Sequence, residues 1–296
     1  KLTFPKGFKV LVGPGTIIDL IQSGQIISYS PIYFEGSKDE PIIIRSNLEG
    51  EIHEVRKSIE INSNVNLGNG ILVINSKSIS SLNNVVFERL SAPSVKSGLG
   101  LTGAVNFYES DVKINNVIFL ENASGDDFLN IIRSNFSIKN SLFLDTYKDA
   151  FDSDFSKGII ENVSFKKINN DAMDFSGSWV EGKYIYIYGV EDKGISAGEN
   201  STIKFTDITV EDSNIAFASK DLSKLVVING ILNRNKIVAA AYNKKAEYGP
   251  GQMQLFDSKL SNNKNAYLVE KNSSIQVDGK EIPISKIKLN KYGVYK

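Results

Sequence analysis

Leu129, Phe151, Met173, Ile195, Phe217 and Ala239 follow one another at a spacing of 22 residues, and every one is apolar or small. The next column reads Asn130, Asp152, Asp174, Ser196, Ala218, Ala240. After it come Ile131, Ser153, Phe175, Ala197, Ser219, Ala241, and then Ile132, Asp154, Ser176, Gly198, Lys220, Tyr242. Apolar or small columns alternate with mostly polar ones. This is the period of two that arises when successive side chains of a strand point to opposite faces. A second set repeats with it: Asn84-Val85-Val86-Phe87, Asn116-Val117-Ile118-Phe119, Asn140-Ser141-Leu142-Phe143 and Asn162-Val163-Ser164-Phe165 share the form Asn-x-x-Phe. The Phe column is expected to continue at Ile187, Ile208 and Ile231. Leu260 takes it up after an inserted loop at Lys244 to Gly251, and another loop is expected from Ser91 to Thr102.

A short repeat that carries several strands with aligned inward columns is a coil of a parallel β-solenoid, in which each rung buries its side chains on the rungs above and below. A leucine-rich repeat would need Leu-x-x-Leu-x-Leu in each turn, which is missing, and a propeller blade would need about 40 residues. The Asn column has a structural reason. A side-chain amide can bond its neighbours along a stack spaced at ~4.7 Å, and Asn tolerates the left-handed backbone of a tight corner. Strands are also expected around Val10-Leu11-Val12, Thr16-Ile17, Ile32-Tyr33-Phe34 and Ile42-Ile43-Ile44. No linker is visible, so a single all-β domain is expected over 1–296. Its rungs are less regular over 1–75 and regular over 76–243; C-terminal rungs and a cap follow over 244–296. The basic end from Ile284 to Lys296 is expected to cover the last rung, because an open solenoid end is an exposed sheet edge.

Composition narrows the chemistry. Thirty-four basic residues balance 34 acidic ones, which argues against nucleic acid as the main partner, since phosphate recognition needs a basic surplus. Cysteine is absent and His53 is the sole histidine, so disulfides, thiolate metal sites and histidine triads are excluded. His53 is expected in a surface loop. No apolar run approaches the ~20 residues of a membrane helix. No signal peptide is visible, and a chain that starts at Lys1 reads as a processed or trimmed product.

The rungs, the Asn ladder and the stacked aromatics resemble the right-handed parallel β-helix of pectate lyases, polygalacturonases and their relatives. This resemblance covers most of the chain as architecture. It implies a right-handed parallel β-helix with rungs of about 22 residues, a fold that serves enzymes, adhesins, phage spikes and coat proteins alike. Polygalacturonase-type glycosidases carry Asn-Thr-Asp, then Asp-Asp-Cys-Ile, then Gly-His-Gly-Ile-Ser on successive rungs. The matching stretches are Tyr147-Lys148-Asp149, Asn170-Asp171-Ala172-Met173 and Asp192-Lys193-Gly194-Ile195-Ser196. Asp149 and Asp171 stand where two of the family's acids lie. Asn170 replaces the first Asp of the pair, Lys193 replaces the histidine, and the family's Arg-Ile-Lys has no counterpart. The phrases Asp-Ala-Phe-Asp-Ser-Asp-Phe, Ala-Ser-Lys-Asp-Leu-Ser and Lys-Lys-Ala-Glu-Tyr-Gly-Pro are similar to uncharacterised bacterial β-helix repeat proteins, a group that implies no activity.

The functional expectation rests on acids in register. Asp152, Asp154 and Asp174 fall at mid-strand, where Asp is disfavoured. Asp127, Asp149 and Asp171 precede the same strand, where a carboxylate often caps the local backbone. Like charges this close raise one another's pKa, so the fold must offset them by a bound cation, by lysine or arginine neighbours, or by keeping one acid protonated. Asp152, Asp154 and Asp174 are the candidate ligands for Ca²⁺, which takes 6–8 oxygens. Paired acids suit glycoside hydrolysis, and Ca²⁺ with a lysine or arginine base suits β-elimination from a uronic acid polymer. The candidate catalytic residues are Asp152, Asp154, Asp174, Lys193 and Lys220. The candidate substrate-binding residues are Arg133, Asp149, Asp171, Ser176, Glu199 and Tyr242. Lys193 and Lys220 could instead only neutralise the acids.

These observations lead to an extracytoplasmic protein, extracellular, periplasmic or on the cell surface, that engages an acidic polysaccharide as a lyase or glycoside hydrolase. The alternative is a non-catalytic coat, adhesin or surface module whose acids are structural or hold a cation. It is favoured by the small outward residues Ala218 and Ala240, which would leave room for a ligand or a neighbouring protein. The charge is also unevenly spread. Thirteen acids face eight bases from Asp126 to Glu199, whereas 14 bases face six acids from Lys220 to Lys296.

Overall fold

A computed structural model describes residues 1–61, 67–93, 101–286 and 294. The chain is all-β with one short helix, and its parallel strands form a β-solenoid of about 11 turns with ~23 residues per turn. It divides into two compact units, Lys1–Asp152 and Ser153–Lys296. Part of the loop expected at 91–102 and most of the basic C-terminal end lie outside the described residues. No described helix is long and apolar enough to cross a membrane.

In the first unit the strands Ser80–Glu88, Val112–Leu120 and Asn135–Thr146 run parallel, with Phe87, Phe119 and Phe143 in register. Their rings are fully buried and stack at 5.3 and 4.4 Å between centroids. The apolar period thus becomes a continuous column of aromatic contact. The predicted Asn ladder is also present. Asn84, Asn116 and Asn140 all adopt left-handed backbone, with φ of 51°, 53° and 50°. Asn116 Nδ2 donates to Asn84 Oδ1, and Asn115 Nδ2 donates to Asn83 Oδ1 at 2.9 Å. The early strands Val10–Val12, Ile17–Leu20, Ile32–Glu35 and Ile42–Ser46 form as expected.

One element departs from the expectation. His53 lies not in an irregular loop but in the helix Ile52–Ile61, exposed and 3.0 Å from Glu54 Oε1. The helix forms because Ile52, Val55 and Ile59 recur on one face and pack with Leu48, Leu67 and Ala123. Arg56 fixes it to the solenoid: its guanidinium donates to Asp145 Oδ1 at 2.7 Å and to the carbonyl oxygens of Asn122 and Asp145.

The second unit carries the long strands Lys157–Ile168, Trp179–Gly198, Thr202–Lys220 and Lys224–Asn233. The Phe165 column continues through Ile187, Val210, Leu232 and Leu260, rather than through Ile208 and Ile231. Ile208 is buried too, but it pairs with Ile185, and Ile231 is exposed. Alternation along a strand offers an inward site at every second residue. Hydrophobicity alone therefore cannot choose between Ile208 and Val210. At the C-terminal end the strand Ser274–Val277 turns back on Lys280–Glu281 as an antiparallel pair.

Candidate functional site

Within the second unit the expected acids and lysines meet as one buried cluster. Asp171 stands just before the strand Met173–Ser176, and Lys193 lies within the strand Trp179–Gly198. Asp174, Ser196 and Ala218 form the next outward column, since Asp174 pairs with Ser196 and Ser196 with Ala218. Lys220 follows two residues further along and pairs with Tyr242. Lys193 is 1% exposed, and its Nζ lies 3.4 Å from Asp171 Oδ1 and closer still to Asp192 Oδ2. Asp171 Oδ1 also accepts the Lys193 backbone N–H at 2.9 Å. This is the backbone cap that its turn position suggests.

Lys220 reaches back over Gly198. Its Nζ donates to Ser196 Oγ at 2.8 Å and lies 3.6 Å from Asp174 Oδ1. A Cβ at position 198 would come within 2.7 Å of Lys220 Cε, so the glycine makes the path. Two buried carboxylate oxygens in the cluster, Asp174 Oδ1 and Asp192 Oδ1, accept no hydrogen bond. Such atoms are costly in a folded protein and mark where a donor fits. Asp192, Ser196 and Gly198 were not among the expected site residues. The signal for Asp192 was its place directly before Lys193.

The electrostatics follow from burial. Burial pushes the Asp171 carboxyl up to about 6; Lys193 opposes the rise, while Asp174 and Asp192 add to it. Burial alone would lower Lys193, but Asp171 and Asp192 outweigh it and hold the ammonium above its usual range. The two carboxylates thus favour the charged form of Lys193. Lys244 moves the other way, lowered by burial and by Lys220 and Lys193.

The cluster is bordered by Tyr242 and Val294. Tyr242 is fully buried and its hydroxyl donates to the Val294 carbonyl at 3.0 Å. Val294 is itself buried with Ile215, Ala218, Ile237, Ala240 and Leu268. The outward alanines that were expected to leave room for a ligand or a neighbour are instead covered by this chain. Sealing one valine contributes about 1.5–3 kcal/mol. The ring of Tyr242 cannot stack on a substrate in this arrangement. Asp221 secures the same edge: its Oδ1 accepts the backbone N–H groups of Lys244 at 2.6 Å and Lys245 at 2.7 Å.

The other expected residues have separate settings. In the first unit, Asn130 Nδ2 contacts Asp127 Oδ2 at 3.0 Å and the half-exposed Asp152 at 3.3 Å. Asp149 is buried at the start of the strand Asp149–Asp154, and its N–H donates to the Asp126 carbonyl. Arg133 donates to the Tyr108 hydroxyl at 2.8 Å and lies 3.8 Å from Glu109. In the second unit, Asp154 and Ser176 are half-exposed, and Glu199 pairs with Lys245. Among the described residues no three His, Cys, Asp or Glu side chains form a group suited to a metal ion.

No protein-family model and no curated protein sequence matches the chain. Among solved structures it is similar to an alginate lyase from Paenibacillus sp. str. FPU-7, at 10% identity and a TM-score of 0.43, over 88% of this chain and 97% of that one. It is also similar to the tailspike of Acinetobacter phage vb_AbaP_AS12, at 10% identity and 0.45, over 94% and 65% of the two chains. The catalytic domain of a GH87 α-1,3-glucanase matches at 10% identity and 0.37, over 92% and 63%. The chain thus spans less than two thirds of the last two. The solenoid assignment rests on its own strand register.

Proposed function

We propose that the protein engages a polysaccharide outside the cytoplasm and hydrolyses it at the acid–lysine cluster of the second unit. The observation that carries this reading is the pair of buried carboxylate oxygens without donors, Asp174 Oδ1 and Asp192 Oδ1, beside a lysine clamped on Ser196. Sugar hydroxyls supply the donors such oxygens lack. Hydrolysis of a glycosidic bond needs one carboxyl that holds a proton and one that is ionised. Asp171, raised by burial, is the proton donor, and Asp174, 3.6 Å from the Lys220 ammonium, is the second acid. Lys193 and Lys220 neutralise the acids in place of Ca²⁺. A charged Lys193 disfavours β-elimination, which needs a neutral base.

The test is cleavage of a polysaccharide panel, acidic and neutral. New reducing ends without ultraviolet-absorbing product support hydrolysis, and Asp171→Asn and Asp174→Asn abolish it. An unsaturated product, or full activity in both variants, overturns it. A second reading, a non-catalytic surface module, is favoured by the burial of Lys193 and by Val294 beside the cluster. Under that reading no polymer yields product.

A further inference from the structure

A different wall of the second unit carries two depressions that line up along the rungs. Outward residues of successive strands pair in an unbroken column: Ile159 with Glu181, Glu181 with Lys204, Lys204 with Val226, Val226 with Gln254, and Gln254 with Gln276. A cavity of about 280 Å³ lies over the first half of this column and includes Ile159, Glu181 and Lys204. A second, of about 300 Å³, lies over the other half and includes Val226, Gln254 and Gln276. Rungs spaced at ~4.8 Å make the column on the order of 24 Å long. A parallel column flanks it through Lys157, Trp179, Thr202, Lys224, Gln252 and Ser274.

The chemistry of the wall is that of a sugar-binding track. Trp179 is 47% exposed and Ile159 is 51% exposed, at diagonal positions on neighbouring strands. An exposed indole gives a flat apolar face for a sugar ring. Gln254 donates to Gln276 at 3.1 Å, an amide pair at one end of the track, and Thr202 and Ser274 stand in the flanking column. Lys157, Lys204 and Lys224 are exposed, against the exposed acids Glu181 and, at the far end, Glu281, which accepts from Gln276 Nε2 at 3.0 Å; Glu161 is occupied by Lys183 at 3.0 Å. The surplus is positive, and lysines suit carboxylates on a polymer. A nucleic acid would call for several stacking aromatics with a larger basic surplus, and this track has one indole.

We propose that this wall is a second polysaccharide site, which holds a linear acidic glycan lengthwise along the rungs through Trp179, Lys204 and Lys224. The proposal rests on the polysaccharide reading above only for the class of polymer. It requires no chemistry at Asp171 or Asp174.

Binding separates the two readings, because it is measured without cleavage. Polygalacturonate oligosaccharides are titrated into the full chain by calorimetry, with neutral dextran and a single-stranded DNA oligonucleotide as comparison probes. The wild type is expected to bind polygalacturonate saturably and in a salt-sensitive way. Lys204→Glu combined with Lys224→Glu should weaken it at least tenfold, and Trp179→Ala several-fold, with partial recovery in Trp179→Tyr. All these positions are exposed, and unchanged melting temperatures confirm that the variants fold. The proposal is overturned if wild type shows no saturable binding, if the variants bind like wild type, if dextran binds equally well, or if DNA binds more tightly. Loss of cleavage in Asp174→Asn bears on the cluster alone.

Discussion

Lys220 donates to Ser196 across Gly198, at 2.8 Å from Nζ to Oγ, and this places its charge 3.6 Å from Asp174 Oδ1. The lysine comes from the neighbouring rung, and only a residue without a side chain lets its methylenes lie on the sheet.

Gly198→Ala therefore tests position apart from stability. The added methyl meets the side chain of Lys220 rather than backbone, so the lysine swings away at little cost. Stability should change by less than about 1 kcal/mol. Glycan cleavage should fall at least tenfold, measured as reducing ends against the unfolding midpoint of the same sample.

Removing the buried cation should have the opposite profile. Lys193→Met leaves Asp171 and Asp192 buried without their shared partner. Breaking a buried pair by deleting one member costs about 3–5 kcal/mol. Urea unfolding should show a loss of that order, and Lys193→Met combined with Asp171→Asn should recover part of it.

Asp171 also sets a pH dependence. Its folded pKa, about 6, lies above the ordinary value of 3.8. The folded state then binds the proton more tightly than the unfolded state. The stability this group contributes is complete below about pH 4 and is lost as pH rises through 6. Other carboxylates titrate in this range, so the measurement is the difference between wild type and Asp171→Asn. Between pH 4 and 6 the wild type should lose stability relative to the variant; a flat difference would refute the raised value.

The Asn ladder predicts a backbone effect. Asn116 has φ of 53° and bonds Asn84. Asn116→Val should destabilise by at least about 1–2 kcal/mol, because a branched residue resists the left-handed region. Asn116→Gly should cost less, since it keeps the conformation and loses only the amide bond. Thermal melts of the two variants compare the terms.

Much of the architecture was legible in the residues. Phe87, Phe119 and Phe143 announce the stack by their place after Asn, and the asparagines announce the corners. Both are local facts, because side-chain alternation and left-handed preference belong to a few consecutive residues. The helix Ile52–Ile61 was missed because its apolar face spans few turns and its anchor, Arg56, finds Asn122 and Asp145 far along the chain. Ile231 was misplaced because a change in rung length shifts which alternating residue faces inward.

The site divides in the same way. Sequence placed Asp171, Asp174, Lys193 and Lys220 in one neighbourhood, since a fixed repeat brings distant residues into register. It could not say that Lys193 is sealed, that Asp192 shares it, or that Val294 covers Ala218 and Ala240. Periodicity determines which side of the sheet a residue takes. Whether that side meets water depends on what packs over it, and here that includes Val294, whose carbonyl is held by Tyr242, 52 positions earlier in the chain. Burial then sets the charge behaviour, because a carboxylate or an ammonium removed from water answers to its few neighbours rather than to its ordinary pKa.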